Sequence, residues 1–281
     1  TDDDDNAASY YKTDPPILTY PAKDSANAVV IRRSDMACLQ AEQFLVSTII
    51  DFGLRWFRAN QEQQEELAKT RTATTDEAAR TTKEGQPHAT FHISNTSFFA
   101  QISRAFNTKE GTGTIKWVNE QVDTFKRDFL FIPIVRDEHW TLAIVCHAKL
   151  IVNKDDKTST NPDDKPCVLY LDSLAWEQRC PRDAQLIRKF LDYLYHVPAC
   201  TFTDENLPSK QLSVPIQPNG YDCGMYLLEN ANHILRRMQD TTNLVADLHN
   251  NKITFEHGVI SRRRQEIRDT IAQLAKEQTE S

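Results

Sequence analysis

No Cys-x-x-Cys pair and no close cysteine–histidine knot occurs in the 281 residues, so the six cysteines offer no structural zinc site. Their even number does not by itself make a disulfide framework in so long a chain. The five besides Cys223 are read as small core or surface residues. No apolar run approaches the ~18 residues that a membrane span requires. The opening Thr1-Asp2-Asp3-Asp4-Asp5 is not a secretory signal, so a soluble, intracellular protein is expected. Positive charge is not in excess either. With 33 lysines and arginines against 40 aspartates and glutamates, the formal charge of −7 argues against general nucleic-acid binding. The basic clusters Arg32-Arg33 and Arg262-Arg263-Arg264 are too short to overturn that balance, and are read as solvated faces or docking points for acidic protein surfaces. No internal repeat is present.

What is there suffices for one substantial core, since 40% of the residues are hydrophobic and 26% charged. A single domain over residues 16–281 is expected, behind an acidic, disordered lead at 1–15. Two polar stretches, 60–90 and 149–166, can bury little apolar surface and are read as flexible insertions. The first follows a helix expected over 39–59 and could extend it. The second lies between two strands as an enlarged hairpin loop. Periodicity further predicts helices at 96–106, 184–196, 223–238 and 262–277, the last packing back through Ile267, Ile271 and Leu274. Strands are expected at 129–135, 140–146, 166–171 and near 198–203, which together make an α+β chain.

Cys223 is the residue that needs explaining. Leu227, Leu228, Ala231, Ile234 and Leu235 recur at helical spacing, so Cys223 falls in the first turn of a helix. There the unpaired N–H groups and the positive end of the helix dipole favour a sulfur anion. A free cysteine at a helix start is more often buried and inert. The loop ahead of it argues otherwise: Pro218, Asn219, Gly220 and Asp222 are turn formers that fix the approach to one residue, and Gln217 supplies an amide donor.

A thiolate nucleophile needs a base, and the base an orienter. His139 sits where the second strand of the 129–146 hairpin begins. Asp172 stands just past the strand that ends at Leu171. Taken singly, such a histidine is usually a packing partner and such an aspartate a turn or cap residue.

Together, His139, Asp172 and Cys223 in that order, with Gln217 shortly before the cysteine, resemble the Ulp/SENP family of cysteine proteases that cut SUMO and related ubiquitin-like modifiers. The resemblance runs from residue 17 to 235, with a fainter echo at 262–274. It is carried by Phe44-Leu45, Ile49-Ile50-Asp51-Phe52, Ser97-Phe98-Phe99, residues 128–133, His139-Trp140, Leu171-Asp172-Ser173-Leu174 and residues 217–224. Tyr20-Pro21, Phe44 and residues 122–129 are most similar to the Ulp2 branch, whose members shorten SUMO chains.

The resemblance implies a papain-like fold of the Ulp/adenain type, a mostly antiparallel central sheet flanked by helices. It implies a cysteine isopeptidase that needs no cofactor or metal, acts in the nucleus as a monomer, and takes SUMO conjugates or poly-SUMO chains as partners. Cys223 would attack the carbonyl after a terminal Gly-Gly, His139 would move the proton, and Asp172 would hold the imidazole. Gln217 and the Cys223 N–H would bind the oxyanion. Trp140 and Phe44 would wall a groove that only glycines can thread, although ordinary core packing is the plain alternative for both. The chain departs from the family at Leu45-Val46-Ser47-Thr48, where many members read Leu-Asn-Asp. The loss of that acidic residue weakens an expected contact with the modifier, so either the recognition chemistry has moved or affinity is lower. Two rivals share the pattern: the same mechanism acting on NEDD8 or ubiquitin, and a SUMO-binding scaffold that does not cut.

Overall fold

The computed structural model describes residues 14–22, 28–74, 90–107, 126–152, 165–174, 179–240 and 243–280. Residues 1–13, 75–89 and 153–164, which hold most of the acidic lead and much of both expected insertions, lie outside these. Asp14, at the end of the lead, is nonetheless fixed: its carboxylate accepts from the Ser34 N–H at 3.0 Å and the Ser34 hydroxyl at 2.5 Å.

Strands β1 (Pro16–Tyr20) and β2 (Val29–Arg32) form an antiparallel ribbon. A 3-10 helix, Ser34–Leu39, follows. The long helix α1 spans Ser47–Thr74, so it starts later than expected and consumes the first half of the 60–90 stretch. Residues 40–46 are not helical: Gln40, with a ψ of 161°, is already extended and ends the 3-10 helix, and Glu42 then takes a left-handed φ of 63°.

Five strands make the main sheet: β3 (Phe91–Ile93), β4 (Phe129–Arg136), β5 (His139–Cys146), β6 (Cys167–Leu171) and β7 (Ser209–Gln211), in that spatial order. The two inner pairings are antiparallel and the two outer ones parallel. The α+β plan is the one expected. No strand forms at 198–203, because the Asp192 carboxylate accepts the Cys200 and Phe202 N–H groups at 2.8 and 3.0 Å and curls the chain into a turn. The edge strand comes later, at β7.

Every residue of β5 and β6 is buried, which explains why these strands read as continuous apolar runs rather than alternating ones. Alternation survives in where they point. Phe129, Phe131, Trp140, Leu142, Ile144, Leu169 and Leu171 join one core, together with α1, α4 (Cys223–Asp240) and α6 (Gly258–Glu280). Leu130, Ile132, Ile134, Ala143, Val145 and Val168 join a second, covered by α2 (Ser97–Asn107) and α3 (Arg179–Leu194).

Helix α4 runs through the larger core, with every residue from Cys223 to Asn232 buried. Helix α1 approaches it closely at Gly53, where a Cβ would lie 2.9 Å from Leu228 Cδ2. The short helix α5 (Leu244–Asn250) is capped by Asn243, which accepts from the Ala246 N–H at 2.8 Å. Helix α6 returns to this core through Ile260, Ile267 and Ile271, with Leu274 packed at its margin. Among the described residues no helix is long and apolar enough to cross a membrane.

Candidate active site

Three separate pieces of chain meet at one end of the sheet. The first is the β4–β5 hairpin, whose two turn residues, Asp137 and Glu138, both take left-handed φ values of 50° and 59°. Neither is glycine, so each carries strain of about 1 kcal/mol or more to reverse the chain within two residues. That sharp reversal brings His139 in directly after the turn. His139 is buried, and its Nε2 lies 2.6 Å from Asp172 Oδ1.

Asp172 follows β6 and is also buried. The Leu174 N–H donates to its Oδ1 at 2.8 Å, a local turn that aims the carboxylate at the imidazole. With Nε2 committed to the acid, Nδ1 is the ring nitrogen left for Cys223, whose side chain hydrogen-bonds the same imidazole. Burial works against the charged ring, but hydrogen bonds to Asp172 and Cys223 and the charges they carry raise the His139 pKa to about 9.

Cys223 is the first residue of α4 and is 1% exposed; its thiol also points at the Glu138 carbonyl oxygen, 3.9 Å away. The loop before it is closed by its own side chains. Asn219 Oδ1 accepts the Tyr221 and Asp222 N–H groups at 3.1 and 3.0 Å, and Asn219 Nδ2 donates to Asp222 Oδ2 at 2.8 Å. Gln217 is buried, with Nε2 donating to the Asn219 carbonyl at 2.6 Å and Oε1 accepting from the Ser173 hydroxyl at 2.6 Å.

Just inside the helix, Gly224 allows a close approach: a Cβ there would stand 2.9 Å from Leu45 Cβ and 3.2 Å from Trp140 Cδ1. Trp140 is buried and its indole N–H donates to the Leu45 carbonyl at 2.9 Å. Its contact therefore fixes the segment that carries Phe44, which is 48% exposed. Val46 is exposed as well.

His139, Asp172, Cys223 and Gln217 are thus assembled from distant stretches of chain, with Trp140 and the Phe44 segment alongside. Two contributors escape the sequence reading, the Ser173 hydroxyl and Arg264, whereas Asn219 is expected there as a turn former and is found locking the loop. Ser173 had a visible signal in its place beside Asp172. The cluster Arg262-Arg263-Arg264 is not simply a solvated face. Arg263 pairs with Glu229 at 2.9 Å and lies over the Phe57 ring, while Arg264 is buried against Asp222 at 2.6 Å.

A cysteine at the mouth of a core helix, facing an imidazole that an acid orients across an α+β sheet, is the architecture of a papain-like thiol peptidase. The chain belongs to the Ulp1 protease family: the model of that family's C-terminal catalytic domain matches residues 45–269. It is 30% identical over 230 residues to the probable ubiquitin-like-specific protease 2A of Arabidopsis thaliana, covering 75% of this chain and 25% of that protein. Ubiquitin-like-specific protease 2 of Schizosaccharomyces pombe is 26% identical over 246 residues, covering 75% and 34%. The chain spans about a quarter of the length of the first of these relatives.

Among solved structures, a de-sumoylating protease superposes with a TM-score of 0.64 at 21% identity, covering 94% of this chain and 92% of that one. The C-terminal Ulp1 protease domain, solved in complex with the yeast ortholog of SUMO, gives 0.56 at 19% identity, covering 98% and 96%. At such identities the superpositions establish the fold.

Proposed function

We propose that this chain is the single catalytic domain of a cysteine isopeptidase that removes SUMO, or shortens SUMO chains, by cutting after a C-terminal Gly-Gly. The observation that carries the reading is the 2.6 Å contact between His139 and Asp172 beside the buried thiol of Cys223. The Cys223 thiol passes its proton to His139, the sulfur attacks the glycyl carbonyl carbon, and the carbonyl π electrons move onto its oxygen. Gln217 Nε2 and the Cys223 N–H stabilise that oxyanion. As the carbonyl re-forms, the C–N bond breaks and His139 gives its proton to the leaving lysine amine. Water, deprotonated by the imidazole, then releases the modifier's carboxylate from the thioester and restores the thiol. Asp172 holds the ring throughout and stabilises its charged form.

Membership of the Ulp1 family and relatives named as ubiquitin-like-specific proteases support SUMO as the modifier. The resemblance of Tyr20-Pro21, Phe44 and residues 122–129 to the Ulp2 branch supports SUMO chains as the substrate, and relatives named ubiquitin-like-specific protease 2A, 2B and 2 agree with that branch. Exposed Phe44 and the segment around Trp140 form the wall over the diglycine in this reading. Action as a monomer in the nucleus belongs to the same proposal.

The test is covalent capture by SUMO, NEDD8 and ubiquitin that carry C-terminal electrophiles, with Cys223→Ser as the control. Preferential capture by SUMO, abolished in the serine variant, supports the proposal. Equal or preferential NEDD8 or ubiquitin capture overturns the substrate. Binding of SUMO with no capture by the wild-type chain points to a scaffold.

A further inference from the structure

An oxyanion donor must present nitrogen, never oxygen, and a glutamine side chain has two amide orientations that are nearly identical in shape. What chooses between them is the company the amide keeps. At Gln217 one side meets a hydroxyl and the other a carbonyl. Ser173 Oγ lies 2.6 Å from Oε1, and the Asn219 carbonyl oxygen lies 2.6 Å from Nε2. The carbonyl can only accept, so it demands N–H; the hydroxyl is the group that can donate, and it meets the oxygen. Both partners select the same orientation, and the second Nε2 hydrogen is then the one that can meet the oxyanion.

Ser173 grips Gln217 twice, because its backbone carbonyl also accepts the Gln217 N–H at 2.9 Å. It is 3% exposed, so water does not substitute easily for its hydroxyl. Its neighbour in the chain, Asp172, holds His139. One two-residue unit therefore holds the imidazole through a carboxylate and the amide through a hydroxyl.

We infer that Ser173 is a positioning residue that fixes the Gln217 amide with its nitrogen toward the oxyanion, resting on the role proposed for Gln217 above. Without the hydroxyl, Gln217 Oε1 is left buried and unpartnered, and only the Asn219 carbonyl still opposes the flipped amide. A flipped amide sets oxygen against oxygen in the transition state. The cost falls on acyl transfer alone. It does not fall on displacement at a saturated carbon, where no oxyanion develops.

The experiment compares wild type, Ser173→Ala, Gln217→Ala and the double variant on a SUMO C-terminal fluorogenic amide, and measures Cys223 alkylation by iodoacetamide in each. Ser173→Ala is expected to lower kcat by roughly 10- to 100-fold with KM nearly unchanged, part of the ~10²–10³ that a lost oxyanion donor costs. In the Gln217→Ala background the serine substitution should add less than about twofold, and alkylation should stay within about twofold throughout. An unchanged kcat in Ser173→Ala overturns the inference, as do losses that multiply in the double variant. So does an alkylation rate that falls with kcat, or an alanine variant that fails to fold, since Ser173 would then be structural. Failure of the reading beneath it looks different: wild type would cleave while Gln217→Ala lost nothing, or wild type would not cleave at all.

Discussion

Arg264 Nη2 lies 2.6 Å from Asp222 Oδ1, so a helix near the far end of the chain holds the residue immediately before Cys223. The same guanidinium donates through Nη1 to the Cys38 and Gln40 carbonyls at 2.6 and 3.1 Å. Arg264 is 6% exposed, so its charge is satisfied almost wholly by protein. It joins the nucleophile loop to the segment leading to Phe44, which is the face the modifier's tail meets in the proposed function. Arg268 adds a contact to the Leu39 carbonyl.

Arg264→Ala takes a charged donor from a partly buried carboxylate and from two carbonyls at once. Removing one member of a buried pair costs about 3–5 kcal/mol, and the partial exposure of Asp222 places the expected loss toward the lower figure. Urea unfolding measures it. Cys223 alkylation should slow in the same variant, because the loop that delivers the thiol has lost its outer anchor. A variant of wild-type stability and reactivity would show that the pair is incidental.

Gly224→Ala tests the junction of α1, α4 and β5. The added carbon meets Leu45 Cβ at 2.9 Å, an atom that no side-chain rotation can move, as well as Ile50 Cδ1 at 3.1 Å. Overpacking of this kind costs about 1–3 kcal/mol. Relief requires α4 to shift away from Leu45, so the 2.9 Å Trp140–Leu45 hydrogen bond should open and tryptophan fluorescence should change with it. A fully stable variant with unaltered fluorescence would show that the junction is loose.

Residue type and order made the site legible. A cysteine behind a turn-rich loop has a local signature, whereas a histidine after a hairpin turn and an aspartate after a buried strand gain theirs only from the order and resemblance that the set completes. Arg264 has none, because its meaning lies in distant partners, Asp222 and Cys38; Ser173 shows only its place beside Asp172, since its partner Gln217 lies 44 residues further on. The same limit explains the misplaced strand. Apolar character near 198–203 suggested extension, but a carboxylate on α3 binds those backbone N–H groups instead. The helix expected from residue 39 began only at Ser47, because the left-handed turn at Glu42 left no mark in the hydrophobic pattern. The central strands and α4 are legible in the sequence, since their burial is written directly in their composition.

Glu229 offers a test of acid stability. It is buried on α4; burial opposes its charge, but hydrogen bonds from His233 and Arg263 outweigh that and lower its pKa to about 2. A depressed folded-state pKa contributes stability that is present above the unfolded value near 4.5 and lost as pH falls through about 2. Glu229→Gln should therefore lose stability at neutral pH while showing a flatter decline between about pH 4.5 and 2. Unfolding free energy measured across that window decides it. Parallel curves for the two proteins would remove Glu229 as the acid-sensitive group.

Asp172→Asn addresses the imidazole with the opposite sign. His139 is raised from its ordinary value of 6.5 to about 9, so its contribution to stability is complete below 6.5 and is lost as pH rises through 9. The contribution has an upper bound of about 3 kcal/mol. The imidazolium that must protonate the leaving amine persists over the same range, so kcat/KM in wild type should decline on the basic side only near pH 9. Asparagine keeps the shape of the side chain but removes the charge, and can meet Nε2 through its oxygen. The basic limb should then move down toward 6.5, the stability curve should flatten between 6.5 and 9, and a trace of turnover should remain. Proton NMR of the His139 ring gives the titration directly. A basic limb that stays near 9 in the asparagine variant would show that Cys223, rather than Asp172, holds the proton on His139.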